Sequence, residues 1–278
     1  MGKLQLFARE VVEGLITGLH KSPHRGFSAE FSEHRKYVAG DEVRHMDWKV
    51  VGRSDRYYIK LFEQETNLRA TLVLDNSNSM QFGQKLDYAK HIAACLAYLL
   101  AAQQDLAGLC AVDESIRIEL PPASSPAHID RLFRELEQLP AGTTTSLVTR
   151  LHELAERLPR RGMVVVISDL WVDPGELLRA LQHLRYRKHQ SLVIHLLDQA
   201  ELQLTGPSFD RQITLEDLET GEKVAVDPAD IRDTYRQQVQ QHVASVKRGC
   251  IDCECEYHPM DVATPYDKAL VEVLGRRK

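Results

Sequence analysis

The chain has 278 residues, of which 43% are hydrophobic and 27% charged, and its formal net charge is −5 at pH 7. This length can bury one sizeable core and leaves open whether the chain forms one large domain or a domain with a smaller appendage. Acidic and basic residues are interleaved, so the composition argues against a general binder of nucleic acid or of membrane surfaces.

The first 20 residues are apolar at helical spacing, with Leu6, Val11, Leu15 and Leu19 on one face. Charged residues interrupt this segment, so it lacks the unbroken apolar stretch of a secretory signal peptide. No later stretch approaches the roughly 18 consecutive apolar residues of a membrane span. The five cysteines are an odd number without an export signal, which favours reduced thiols. We therefore expect a cytoplasmic protein with no membrane span.

Residues 22–69 are rich in Arg, His, Gly and aromatic residues and lack long periodic runs. We predict that residues 1–69 form an N-terminal extension and that residues 70–278 form the main domain. The basic and aromatic run at 53–60 has the composition of a nucleic-acid surface, where cations hold phosphates and aromatic rings stack on bases. Glu63 and Glu65 follow at once, so a packed strand edge is the preferred interpretation and no nucleic-acid partner is expected.

From residue 70 onward, short β-rich apolar runs alternate with amphipathic segments, the pattern of a mostly parallel sheet covered by helices. The predicted strands cover residues 70–74, 106–112, 116–120, 163–167, 191–197 and about 254–262. Between them, apolar residues recur about every 3.6 residues, which predicts helices at about 86–100, 129–139, 147–158, 177–184 and 231–243. A last helix has its start near Thr264 and Pro265.

Residues 202–226 depart from this alternation and predict a β-hairpin that turns near Thr220 and Gly221. The hairpin and the N-terminal segment are predicted additions to the core sheet. The fold class that follows is a three-layer, Rossmann-like α/β domain, with a mostly parallel central sheet flanked by helices.

Oxygen-bearing side chains cluster where two predicted strands end. Asp75, Ser77 and Ser79 alternate in the loop after the first buried strand, and Asp169 follows a later one. The loop PAGTTTSL adds hydroxyls just before a helix. In an open α/β sheet, loops at the carboxyl ends of strands line the crevice where ligands bind. Two carboxylates with several hydroxyls suit a small hard cation, Mg²⁺ or Mn²⁺.

This set of residues resembles the metal-ion-dependent adhesion site of von Willebrand factor A domains. Asp75, Ser77 and Ser79 match its DxSxS ligands, Thr143 matches the threonine that follows a glycine, and Asp169 matches the distal carboxylate. Two further threonines follow Thr143, which leaves the choice among the three open. Upstream, YVAGDEVRHMDW resembles the Y-x-x-G-D-x-x-R-x-x-D-W stretch of the bacterial "domain of unknown function 58" family.

The resemblance implies a docking site rather than a reaction centre. In this family the metal is expected to bind an Asp or Glu of a protein partner, and such proteins are commonly paired with MoxR-type AAA+ ATPases in chaperone-like systems. The chain itself lacks the ATP-binding motif GxxxxGK[ST]. We therefore expect a non-catalytic adaptor or regulator.

Two rival functions stay open. A Mg²⁺-dependent phosphohydrolase of a Rossmann-like fold also places an Asp after a strand, but it needs a second carboxylate where this chain has Ser77. A degenerate domain that folds without metal and binds partners elsewhere is the other rival.

Two other motifs have both a functional and a structural interpretation. The stretch GDEVRHMDW can recruit a partner, or it can form an ion-paired network that holds the N-terminal segment, and the network is preferred. The cysteines of CxxCxCxxH, at 250–258, offer soft ligands for zinc, but their spacing departs from the usual paired knuckles. The preferred interpretation is that Cys253 and Cys255 lie on the buried face of the last strand.

Overall fold

The structure is a computed structural model that describes residues 2–20, 34–36, 58–60, 68–142, 144, 146–159, 161–205, 213–216, 223–226 and 228–275. By its internal packing the chain divides into two units, one made of Met1–Ile16 with Leu68–Lys278 and the other of Thr17–Asn67. In the second unit, strands β1 (His34–Lys36) and β2 (Tyr58–Lys60) pair antiparallel. The boundary at residue 69 stays a prediction.

A six-stranded sheet forms the centre of the larger unit, and its strands come from the segments predicted as strands. They are β3 (Arg69–Asp75), β4 (Leu106–Val112), β5 (Ile116–Ala123), β6 (Met163–Ser168), β7 (Gln190–Leu197) and β10 (Glu256–Asp261). The order across the sheet is β10-β7-β6-β3-β4-β5, and every neighbouring pair is parallel except β4 with β5. The mostly parallel sheet is therefore confirmed.

Helices connect these strands and cover both faces of the sheet. They are α1 (Lys3–His20), α2 (Lys85–Ala102), α3 (Pro126–Gln138), α4 (Leu147–Arg157), α5 (Pro174–Tyr186), the short α6 (Gln199–Gln203), α7 (Pro228–Asp252) and α8 (Tyr266–Gly275). Two of them have a side-chain N-cap followed by Pro at the first turn, which accounts for their sharp starts: Ser125 accepts from His128 N, and Asp173 accepts from Glu176 N.

Two hydrophobic cores lie on opposite faces of the sheet because successive residues of a strand point to opposite sides. On β3, Leu72 and Leu74 pack with helices α1, α2, α3 and α8, whereas Val73 packs with α4, α5 and α7. The central strands β3 and β6 are buried along their length apart from Arg69, as expected for parallel strands covered on both faces. The three-layer α/β class is thereby confirmed.

The predicted hairpin is also present, since β8 (Ile213–Glu216) pairs antiparallel with β9 (Lys223–Val226). Its predicted turn at Thr220 and Gly221 lies outside the described residues. None of the helices in the described part of the chain is long and apolar enough to cross a membrane.

The connections of the chain create a switch point between β3 and β6. From β3 the chain adds β4 and β5 on one side, then crosses to the other side of β3 to form β6, β7 and β10. Loops that leave two neighbouring parallel strands in opposite directions open a crevice at their carboxyl ends. Asp75 and Asp169 lie at the carboxyl ends of these two strands.

Candidate metal site

Asp75 is the last residue of β3, and its carboxylate is held by neutral groups. One oxygen accepts a hydrogen bond from the backbone N–H of Ser77 at 3.0 Å, and the other accepts one from the hydroxyl of Ser168, at the end of β6, at 2.6 Å. The side chain is only 2% exposed. Among the described residues, no Lys, Arg or His side chain bonds this carboxylate.

Three of the predicted ligands form a hydrogen-bonded chain across the switch point. The hydroxyls of Ser77 and Ser79 lie 3.0 Å apart, and the hydroxyl of Ser79 donates to Oδ1 of Asp169 at 3.2 Å. The structure therefore brings Asp75, Ser77, Ser79 and Asp169 together from two loops separated by about 90 residues.

The backbone after β6 fixes the position of Asp169. Leu170, the next residue, is fully buried in the left-handed region at φ 54°, and its N–H donates to the Ser168 hydroxyl at 2.9 Å. The imidazole Nε2 of His195 donates to the carbonyl of Asp169, and that of His242 donates to the carbonyl of Leu170, both at 2.9 Å. Such donors stabilise a strained turn that would otherwise relax.

Residues 140–142 pack directly against the DxSxS loop. The side-chain amide of Asn76 donates to the carbonyl of Pro140 at 3.0 Å, and that of Gln81 donates to the carbonyl of Gly142 at 3.1 Å. A Cβ at Gly142 would overlap the backbone oxygen of Asn76, so this close approach requires glycine. The predicted ligand Thr143 itself lies outside the described residues.

A buried ion-pair network that the sequence did not predict lies beside Asp169. The ammonium of Lys85, the first residue of α2, lies 2.6 Å from Oδ2 of Asp169 and 2.9 and 3.0 Å from the two carboxylate oxygens of Glu201. The indole N–H of Trp171 donates to the same Glu201 at 3.0 Å. Lys85 is fully buried. A lysine at the start of a helix gives no sign of burial in the sequence, because lysine is common on exposed helix surfaces.

The charges of the cluster are only partly compensated. Burial, together with repulsion from Asp169, raises the pKa of Asp75 to about 6, against the hydrogen bonds from Ser168 and Ser77 that favour the carboxylate. Burial alone would lower the pKa of Lys85, but the adjacent Asp169 and Glu201 outweigh it and raise the pKa above its usual value. Burial raises the pKa of Glu201, and Lys85 opposes that change.

These residues fit a divalent cation. With three ionised carboxylates and one ammonium, the cluster retains two negative charges, and burial and repulsion from Asp169 both raise the pKa of Asp75. In the described part of the chain, no three His, Cys, Asp or Glu side chains converge as a ligand set. A cation here would therefore rely on two carboxylates and on serine hydroxyls, a set of hard oxygen donors that suits Mg²⁺ or Mn²⁺.

The two remaining motifs lie apart from this cluster in the sequence, and only the cysteine motif falls within the described residues. Cys253 and Cys255 are buried as expected, but they lie in the turn between α7 and β10 rather than within the last strand, so that detail of the prediction was wrong. The described residues around them form no metal-ligand cluster. The stretch GDEVRHMDW lies outside the described residues, and both of its interpretations stay predictions.

Several known proteins are similar to this chain in sequence. A family model described as "Protein of unknown function DUF58" matches residues 33–245. "Uncharacterized protein Rv1480" of Mycobacterium tuberculosis is 29% identical over 259 residues, covering 90% of this chain and 80% of that protein. "Uncharacterized protein MAV169" of Mycobacterium avium is 31% identical over 138 residues, covering 48% of this chain and 78% of that protein.

Proteins of solved structure are also similar to this chain, at lower sequence identity. The conserved hypothetical protein BatB of Bacteroides thetaiotaomicron is 16% identical, with a TM-score of 0.47 and coverage of 75% of this chain and 98% of that chain. The VWA domain of SpRpn10 is 14% identical, with a TM-score of 0.43 and coverage of 74% and 95%. The family model, in contrast, spans well over half of the sequence. The chain therefore belongs to the DUF58 family.

Proposed function

We propose that this protein is a non-catalytic, metal-dependent protein-binding adaptor of the von Willebrand factor A type. Its Mg²⁺ or Mn²⁺ ligands would be Asp75, Ser77, Ser79 and Asp169 and, by the family resemblance, Thr143. The observation that carries the proposal is the meeting of two carboxylates and two serine hydroxyls at the switch point of the sheet.

The chemistry of the donors favours docking. Serine hydroxyls are neutral, so a cation bound here would keep a strong affinity for one further carboxylate, supplied by an Asp or Glu of the partner. Asp75, Ser77 and Asp169 are buried, whereas Ser79 is half-buried. The partner's carboxylate would therefore approach from the side of Ser79, with the surrounding loops contributing specificity.

The resemblance to the DUF58 family supports a MoxR-type AAA+ ATPase, or a client of that ATPase, as the partner. Because the chain lacks the motif GxxxxGK[ST], ATP hydrolysis would have to come from the partner. We propose a cytoplasmic setting for this contact, where the five buried thiols would remain reduced.

The arrangement of carboxylates supports the absence of catalysis. A phosphohydrolase of this general type needs a second carboxylate to transfer protons, and Ser77 stands at that position. The cluster has two other carboxylates, and both are engaged: Asp169 accepts from Ser79 and pairs with Lys85, and both oxygens of Glu201 bind the ammonium of Lys85. Among the described residues, the carboxylates nearest to Asp75 are therefore held in ion pairs with Lys85, which does not suit a general acid or base.

The experiment is a direct binding measurement between the purified protein and the MoxR-type ATPase of the same organism, immobilised on a biosensor. Wild type should bind in Mg²⁺ or Mn²⁺ and lose binding in chelator, and Asp75→Ala should not bind in either. Asp113→Ala is the matched control, since Asp113 directly follows the neighbouring strand β4 and forms the same local turn. Binding that ignores both chelator and Asp75→Ala would overturn the proposal.

A further inference from the structure

A buried ammonium beside a candidate cation site is an unusual arrangement. Removing a lysine from water is costly unless its charge is paired and its donors are satisfied. Here Lys85 is fully buried, and carboxylates of Asp169 and Glu201 satisfy it from two sides. One of these two carboxylates is also a proposed metal ligand, so the ammonium and a metal would share it.

We propose that Lys85 is an internal cation that competes with the metal for Asp169, and that Glu201 sets the strength of this competition. The inference rests on the metal site of the proposed function. It assigns a role in metal affinity to two residues that are not themselves proposed as ligands.

The two oxygens of Asp169 face in different directions. Oδ1 accepts from Ser79, toward the other proposed ligands, and Oδ2 contacts the ammonium of Lys85 at 2.6 Å. In a buried site, one full positive charge at this distance strongly reduces the attraction of that carboxylate for a second cation. Asp75 has no such cationic partner among the described residues, so the competition acts through Asp169.

Glu201 draws the same ammonium away from Asp169. Both of its oxygens contact Nζ of Lys85, and the indole of Trp171 holds it in place. The carboxylate is anchored by α6, whose first turn is capped by Asp198 through the N–H of Ala200 at 2.8 Å. Without the charge of Glu201, the ammonium would pair with Asp169 alone, and the metal would meet a stronger competitor.

The test measures Mg²⁺ and Mn²⁺ dissociation constants by calorimetry on the full chain, with the metal alone as the ligand. Glu201→Gln should weaken binding by about ten-fold, because Lys85 then neutralises Asp169 more fully. The double variant Lys85→Met/Glu201→Gln should bind more tightly than wild type, by about ten-fold. Its net charge equals that of wild type, so a gain in affinity cannot come from the overall field of the protein.

A matched control changes a charge next to the end of the neighbouring strand, β4. Arg117 pairs with Asp113 at 2.6 Å next to β4, and Arg117→Met removes a positive charge there without touching Asp169. This control should leave the dissociation constants unchanged. Thermal denaturation of each variant without metal establishes that it is folded before titration.

The outcomes separate the inference from the function on which it rests. If wild type binds neither metal, the metal site of the proposed function fails and the inference falls with it. If wild type binds and the double variant binds equally or more weakly, the competition is disproved while the metal site stands. Weaker metal binding by Glu201→Gln together with tighter binding by the double variant supports the inference. Metal binding by Glu201→Gln that is as tight as in wild type, or tighter, overturns it.

Discussion

Two neighbouring strands of the sheet end in the same local structure but in different electrostatic surroundings. At the end of β3, Oδ1 of Asp75 accepts from the N–H of Ser77, and just after β4, Oδ1 of Asp113 accepts from the N–H of Ser115 at 2.9 Å. Both carboxylates are buried. This turn is common wherever Asp begins a loop, because its side chain replaces a backbone acceptor.

The second oxygen of each carboxylate distinguishes the two turns. In Asp113 it binds the guanidinium of Arg117, four residues along the chain, at 2.6 Å. In Asp75 it binds the neutral hydroxyl of Ser168, and Asp169 lies close enough to raise the pKa of Asp75. The carboxylate after β4 is therefore neutralised by an arginine of the next strand, β5, whereas the carboxylate at the end of β3 retains charge that a cation could compensate. Local sequence alone does not separate a structural turn from a binding site.

The largest expected difference between the two turns is in metal affinity. Asp75→Asn should weaken Mn²⁺ binding by more than the roughly 10- to 100-fold that loss of an outer-shell partner costs, because it removes a charged ligand. Asp113→Asn should leave Mn²⁺ binding unchanged. Calorimetric titration of both variants measures their Mn²⁺ affinities. If both variants lost the same affinity, either the metal would bind elsewhere or the loss would come from a change in folding.

The close approach of the 140–142 loop to Asn76 should be costly to disturb. Gly142→Ala adds a methyl group that would overlap the backbone oxygen of Asn76. The substitution should lower the free energy of unfolding by about 1–3 kcal/mol. The control is Gly14→Ala, since Gly14 lies on α1 with open space around it and should gain about 0.5–1 kcal/mol. Urea denaturation measures both, and a neutral Gly142→Ala would mean that this loop does not pack tightly on the site.

The histidine that holds Asp169 should add a pH dependence to stability. Burial lowers the pKa of His195 to about 3, so it stays neutral in the fold, whereas in the unfolded chain it takes up a proton near pH 6.5. The contribution of His195 to the free energy of unfolding is complete above pH 6.5. It falls as the pH decreases toward 3, by about 2 kcal/mol between pH 7 and pH 5.

His195→Gln retains an N–H donor but does not titrate. The difference in unfolding free energy between wild type and this variant should therefore shrink by about 2 kcal/mol on going from pH 7 to pH 5. Because Asp75 is present in both proteins, its own titration cancels in the comparison. Denaturation curves at the two pH values measure the change, and a constant difference would show that His195 takes up a proton in the fold.

The smallest effect on stability should come from removing the guanidinium of Arg117, which pairs with Asp113 and, in the described part of the chain, has no counterpart at Asp75. Arg117 is 43% exposed at its side chain, so solvent screens its pair with Asp113, and Arg117→Met should change thermal stability only slightly. It should not create a second metal site, because Asp113 has no equivalent of Asp169 across the sheet among the described residues. A second binding event in the Mn²⁺ titration of this variant would contradict that interpretation.

Much of this architecture follows from the sequence. The alternation of apolar runs predicted all six strands of the central sheet and the longer helices between them, though not the short helix α6, since period and length are local properties. The positions of Asp75 and Asp169 after two strands also predicted that they would meet, because parallel strands bring their carboxyl ends to one edge. Ser77 and Ser79 then follow Asp75 into the same crevice.

The charge balance of the cluster was decided only by the tertiary structure. Lys85 and Glu201 are ordinary surface residue types, and nothing near them in the sequence indicates that they would pair with each other across 116 residues, with Lys85 fully buried. The difference between Asp75 and Asp113 likewise depends on which distant side chain faces each carboxylate. Strand and helix patterns are set by neighbours along the chain, whereas the free energy of a buried charge is set by neighbours in space.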